Sequence, residues 1–349
     1  MAVTTSCGYE PMRSGTTILC YINRDGLPLS DRCTERMWSF CMEQYAKNVT
    51  DIEILRNQID DYPPVTHPDP PYHIATSTRL TVAEKLQQIQ NYIQRLEYNY
   101  TGMQFFYLNP NRSIYGLMDK ARYIMTESLP IKCFEAFLIG LYLTTGIVGL
   151  DRFNISFKTR FNSVVYRHVI LGVKSGQIYG AVGISRRSDL AYKPLNGSYD
   201  SLSKLIDDFI GAYRNYGHTV LRVKIGLPIV HDLKSFETIN WKALSILPSK
   251  TSKSDYDREL NKITRTWRQL DMHMNYRSVV PLASFVQPIG TLITSSSSVP
   301  TRLQSVSIRQ SRGTSLNCRQ SVLSKTPTAI IHEENSTDKD QAVSYAIRV

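Results

Sequence analysis

A chain of 349 residues, 42% of them hydrophobic, can bury a sizeable core without covalent staples and should form one or two globular domains. Its six cysteines lack CxxC spacing, which argues against a disulfide scaffold or a zinc site, so neither a metal nor another cofactor is expected. A formal net charge of +11 directs attention to polyanionic partners, namely acidic protein tails, nucleic acid or anionic lipid.

The first 25 residues read as irregular and lack the basic start and apolar stretch of a secretory signal. No segment reaches the roughly 18 apolar residues of a membrane span. A reducing, cytoplasmic setting without membrane attachment is therefore expected. In LSDRCTERMWSFCMEQYAK, residues Cys33, Met37, Phe40, Cys41 and Tyr45 recur at helical spacing, with Trp38 beside them. This helix either packs on its own domain or receives a partner helix. YPPVTHPDPPYH, residues 62–73, is an extended connector because its prolines cannot continue a helix.

Thr81 and Glu84 have capping-box spacing, and Leu86, Ile89, Tyr92, Ile93 and Leu96 give one apolar face, which predicts a helix over 81–97. IYGLMDKARYIMTES predicts another, stopping before Pro130. LPIKCFEAFLIGLYLT, residues 129–144, then reads as a helix apolar on nearly all sides, hence central and buried.

From residue 155 the period becomes alternating. ISFKTRF, VVYRHVILGV and QIYGAVGIS predict three strands, the last two a hairpin. A turn at Ser175 and Gly176 sets Lys174 against Gln177. Val169, Leu171, Val173, Ile178, Val182 and Ile184 then form the core face. His168, Ile170, Gly172, Tyr179, Ala181, Gly183 and Ser185 share the other, where small residues leave room around His168. Asp200 can cap a helix through Phe209, HTVLRVKIG predicts a further strand, and residues 255–272 a basic helix. From about 292 the Ser/Thr- and Arg-rich sequence reads as a disordered basic tail.

A lone cysteine in an apolar run is commonly a packing residue. Cys133, however, falls in the first turn after Pro130, where free backbone N–H groups, the helix dipole and Lys132 favour a thiolate. His168 is a candidate base, and Ser185, diagonal to it in this register, a candidate orienting group. Lys132, Lys158, Arg186 and Arg187 adjoin these elements and suit a peptide with a free C-terminal carboxylate and acidic residues upstream, although each is also an ordinary surface cation.

The stretches YNYTGMQFF, GLMDKA, LPIKCFEA, ISFKTRF, YRHVILGV, YGAVGISRRSDLAYKP and the terminal YAIRV resemble those of the vasohibins, over roughly residues 22–250 and the last few. The resemblance implies an α+β, transglutaminase-like (papain-like) cysteine protease fold, with a Cys-bearing central helix packed on an antiparallel sheet and an N-terminal helical region. It implies a carboxypeptidase that removes the C-terminal tyrosine of α-tubulin through Cys133, His168 and Ser185, with the Leu190 carbonyl as the alternative orienting group. It places tyrosine recognition on Tyr98, Lys132 and Arg186, with Lys158 an additional basic contact. The implied partners are glutamate-rich tubulin tails on microtubules and a helical partner like the small vasohibin-binding protein, gripped by residues 28–46 with Met37 and Trp38 in contact. Where the family carries a basic run after the FF pair, this chain has Asn109, Pro110 and Asn111 before Arg112.

The expected division is an irregular segment 1–25, a helical partner-binding region with its connector 26–75, a catalytic core 76–250, a basic helical extension 251–290 and a tail 291–349. Two other readings stay open on the residues alone: a non-enzymatic basic protein that binds microtubules or nucleic acid, and acyl transfer to an amine.

Overall fold

The computed structural model describes residues 18–21, 29–44, 49–57, 67–274 and 345–348. In chain order these form β1 (Ile18–Tyr21), α1 (Asp31–Gln44), α2 (Val49–Asn57), α3 (Val82–Arg95), α4 (Ile114–Glu127), α5 (Cys133–Leu143), β2 (Asp151–Phe161), β3 (Val164–Ser175) and β4 (Ile178–Val182). There follow α6 (Leu202–Asn215), β5 (Thr219–Ile225), β6 (Leu244–Ile246), α7 (Lys253–Met274) and β7 (Tyr345–Arg348). The tail expected from 291 lies outside the described residues apart from β7. No helix among the described residues is long and apolar enough to cross a membrane.

Five strands form an antiparallel sheet in the order β4-β3-β2-β5-β6, while β1 and β7 pair in parallel as a separate two-stranded sheet. The main sheet is buried on both faces. Leu171, Val173, Val182 and Ile184 pack with α1, α3, α4 and α5. Phe153, Ile155, Phe157, Ile170, Tyr179 and Ala181 pack with α6 and α7. The face that sequence pattern left open is thus a second core, and its small residues serve packing. A Cβ at Gly172 would meet the Phe153 ring at 2.4 Å, and one at Gly183 would meet Ile170 Cδ1 at 2.4 Å. The helix expected as a basic extension supplies Tyr256, Leu260, Ile263 and Trp267 to this core, with the Trp267 and Phe153 rings 4.5 Å apart.

Helix starts follow local chemistry. Thr81 and Glu84 form the reciprocal capping box that opens α3. For α6, Ser201 is the N-cap in place of Asp200, which instead bonds the Lys204 ammonium. The β3–β4 turn is at Gly176 and Gln177, since Ser175 pairs with Ile178 and Lys174 with Tyr179. Gly176 at φ +59° then occupies the first central position, which suits a type II′ turn. Because the pairing differs from the sequence expectation by two residues, every side chain keeps its face.

Helix α1 turns its apolar face inward. Met37, Trp38 and Cys41 are buried with Ile52 in the chain's own core, and in this packing Met37 and Trp38 are not available to a separate partner.

The central helix is fixed at its far end by Arg152, which is 1% exposed. Its Nη1 donates to the Leu141 carbonyl and Thr145 Oγ1, both at 2.8 Å, and its Nη2 to the Val230 carbonyl at 2.7 Å. A cation at a helix C-terminus is favoured by the dipole, and here it also satisfies buried carbonyls. Arg152→Leu is expected to destabilise the protein by about 3 kcal/mol, because removing it strands several acceptors. A lowered denaturant midpoint at unchanged slope checks this.

Candidate active site

Cys133 is the first residue of α5, and its N-cap, Lys132, is extended and makes no side-chain capping bond. The chain before it is held by Ile131, whose N–H donates to the Glu97 carbonyl and whose carbonyl accepts from Asn99 N–H. This short ladder pairs Tyr98 with Ile131, one residue from Lys132. Asn99 braces the following loop, accepting from the Thr101 N–H and hydroxyl and donating to the Met103 carbonyl. Gly102, at φ +75°, lies under the Phe40 ring of α1, where a Cβ would come within 2.5 Å, so α1 buttresses the loop that carries Tyr98.

Both Cys133 and His168 are partly exposed. Hydrogen bonding from the Val169 backbone reaches the Cys133 sulfur, which places it beside the strand position next to His168. Burial pushes the thiol above its ordinary pKa. That bond and the N–H groups of Cys133 and Phe134 oppose the shift, while the charge of Glu135 reinforces it. Burial also pushes His168 down, to about 4. Desolvation thus works against the thiolate that helix position favours, and it favours the neutral imidazole.

His168 Nε2 lies 2.9 Å from the Leu190 carbonyl. A carbonyl can only accept, so Nε2 carries the proton and Nδ1 is the basic nitrogen. Leu190 ends a short 3₁₀ turn, Ser188–Leu190. Tyr216 fastens this turn to α6, its hydroxyl donating to Asp189 at 2.9 Å and its ring lying 4.8 Å from the Arg187 guanidinium. Ser185 Oγ accepts from the Arg187 N–H at 3.4 Å. Upstream, the fully buried Gln90 of α3 pairs with the Gly183 backbone like a strand, Nε2 donating to its carbonyl at 2.9 Å and Oε1 accepting from its N–H at 3.0 Å.

Arg186 is exposed, with its guanidinium 5.7 Å from the Tyr98 ring centroid. Burial pushes Lys132 down, Glu135 opposes this, and Arg186 adds to it. Burial raises the Tyr98 phenol, which Arg186 counters. Tyr98, Lys132, Cys133 and Arg186 thus share one electrostatic neighbourhood. Lys158 lies on β2, exposed and directly opposite Arg167, the residue before His168 on β3, and Arg222 on β5. Like charges facing one another across strands cost stability, so this row marks a surface suited to anions. Gln90, Gln104 and Glu135 were missed from sequence. Their one signal was polarity within otherwise apolar helix faces or beside an aromatic pair.

A sequence model of the Vasohibin family matches residues 18–268. Tubulinyl-Tyr carboxypeptidase 1 of Mus musculus is 40% identical over 264 residues, covering 75% of this chain and 68% of the mouse protein.

Proposed function

Because the chain belongs to the vasohibin family, we propose that it is a cysteine carboxypeptidase that removes the C-terminal tyrosine of α-tubulin, with Cys133 and His168 as its reacting groups. The observation that carries the assignment of roles is the joint placement of Cys133 at a helix start, beside the strand that carries His168, and of His168 against the Leu190 carbonyl. On this reading the fold is of the transglutaminase-like type, and the catalytic core runs from residue 76 to 250 with α7 covering its second face.

His168 Nδ1 takes the thiol proton as Cys133 Sγ attacks the carbonyl before the terminal tyrosine. Negative charge collects on the carbonyl oxygen at the N-terminus of α5, where the backbone N–H groups of the first turn favour it. His168 returns the proton to the departing tyrosine amine, leaving a thioester. Water, deprotonated by the same imidazole, releases the shortened chain. Leu190 and Ser185 act on the imidazole side, with the carbonyl as the principal orienting group.

Tyr98, Lys132 and Arg186 recognise the terminal tyrosine, the two cations meeting its carboxylate. The row formed by Lys158, Arg167 and Arg222 suits the acidic residues upstream. Nucleic acid is the less favoured polyanion, because these cations adjoin a carboxylate site. A helical partner like the small vasohibin-binding protein is assigned to the α1 region. With Met37 and Trp38 turned inward, its contacts come from exposed positions such as Arg32, Arg36 and Glu43. A cytoplasmic, microtubule-associated setting accompanies this substrate.

Arg186→Ala tests the recognition. KM for a peptide ending in free tyrosine is expected to rise by about tenfold to a hundredfold, the worth of one charge-assisted pair, with kcat less affected. An unchanged KM would remove Arg186 from recognition.

A further inference from the structure

The outer edge of β3 is covered over only part of its length. β4 pairs with Leu171–Ser175, whereas Val164–Ile170 pair with β2 alone among the described residues. Val164, Val165, Tyr166 and Arg167 are exposed, and His168 and Val169 partly so. An open strand edge presents N–H and C=O groups on which a further strand can form, and proteins commonly blunt or cover such edges.

The ladders on either side show which groups this edge offers. Ala181 of β4 exchanges both backbone bonds with Lys193, and the Asn154 carbonyl of β2 accepts from the Gly226 N–H on the β5 side. Alternation therefore turns Leu171 and Val173 toward β4 and, in the same series, Val165, Arg167 and Val169 toward the open edge. His168 and Ile170 turn toward β2. The edge also leads to the nucleophile. A Cβ at Gly140 of α5 would lie 3.2 Å from Leu171 Cδ2, and Cys133 begins that helix about 10 Å earlier. That is about three strand residues back from Leu171, where the Val169 backbone reaches the Cys133 sulfur.

The side chains along the edge suit one kind of occupant. Arg167 stands opposite Lys158, which also faces Arg222, and Val165 stands opposite the exposed Arg160. The stretches that form this surface, 158–161, 164–169 and 219–224, contain no acidic residue. From Val165 to Val169 the edge spans about 14 Å, room for about four extended residues.

We propose that the acidic segment upstream of the scissile bond binds as an added strand on this edge, its main chain bonded to Val165 and Arg167 and its acids lying over Arg167, Lys158 and Arg160. With its C-terminal end at Cys133, the segment runs parallel to β3. Main-chain bonding fixes its register, and the cations select for acids without a separate pocket for each side chain. The proposal rests on the carboxypeptidase reading and specifies how that site holds the chain it cuts.

The test measures steady-state kinetics of wild type on acidic peptides ending in free tyrosine, in which each upstream backbone amide is N-methylated in turn. KM is expected to rise about tenfold at every second position, the worth of a lost hydrogen bond with its partner left unpaired, and to change little at the positions between. Val165→Pro removes an N–H that faces the edge and spares the β2 ladder, so it is expected to raise KM several-fold with kcat little changed. The methylation series uses the unaltered protein and decides the matter whether or not Val165→Pro folds. Equal KM across the series, or a rise that lacks the two-residue period, would overturn the proposal in favour of cations that hold the tail without a fixed register. Failure of the underlying reading looks different: the unmethylated peptide would release no tyrosine.

Discussion

Cys133→Ala is expected to abolish release of tyrosine from tubulin, lowering kcat by at least about 10⁴-fold, because the thioester forms on this sulfur. The side chain is small and partly exposed at a helix start, so its truncation should leave the thermal midpoint close to that of wild type. Cys33 and Cys41 are also free cysteines. Both are buried in the α1 packing, and Cys41 is pushed up to about 11 by burial. Neither can substitute. Turnover by the folded variant near the wild-type rate would remove Cys133 from the mechanism. Because burial pushes the thiol up, alkylation of wild-type Cys133 at neutral pH is expected to be unexceptional, with a rate that climbs with pH as the thiolate forms.

His168→Ala is expected to lower kcat by about 10³-fold, the contribution of a positioned general base. Its pKa of about 4 sets the sign of the pH dependence. The reaction needs the neutral imidazole, which exists above that value and is lost as pH falls through it. The acid limb of wild-type kcat/KM therefore lies well below neutral and disappears in the variant. Ser185→Ala should cost only about tenfold, since the Leu190 carbonyl still orients the ring. A Ser185→Ala loss as large as that of His168→Ala would transfer the orienting role to the hydroxyl.

Much of this architecture is written locally. The capping box at Thr81 and Glu84 announces α3, and Pro130 followed by an apolar run announces α5 with Cys133 at its start. Alternation gives the strands and puts His168 on the face of Ile170 and Tyr179. What stayed illegible depends on distant partners or on backbone atoms. The shift of the turn to Gly176 and Gln177 preserves every face, so hydrophobic pattern cannot detect it. The Leu190 carbonyl has no side-chain signature, and Gln90 acts on Gly183, 93 residues away. The amphipathic face of α1 has the same pattern whether it meets a partner or its own core, and here it meets the core. Burial, which sequence does not state, also works against the expected acidity of Cys133. Arg152 proved to fix the far end of the central helix, through partners that lie in other segments.

The central claim is hydrolysis of a single C-terminal tyrosine by recognition of its carboxylate. Mass spectrometry of an acidic peptide ending in tyrosine, incubated with the purified chain as free acid and as amide, tests it most directly. The account predicts a product shorter by one tyrosine from the free acid, and an amide left essentially intact. Internal cleavage, an unchanged free-acid peptide, or equal cleavage of both forms would contradict it.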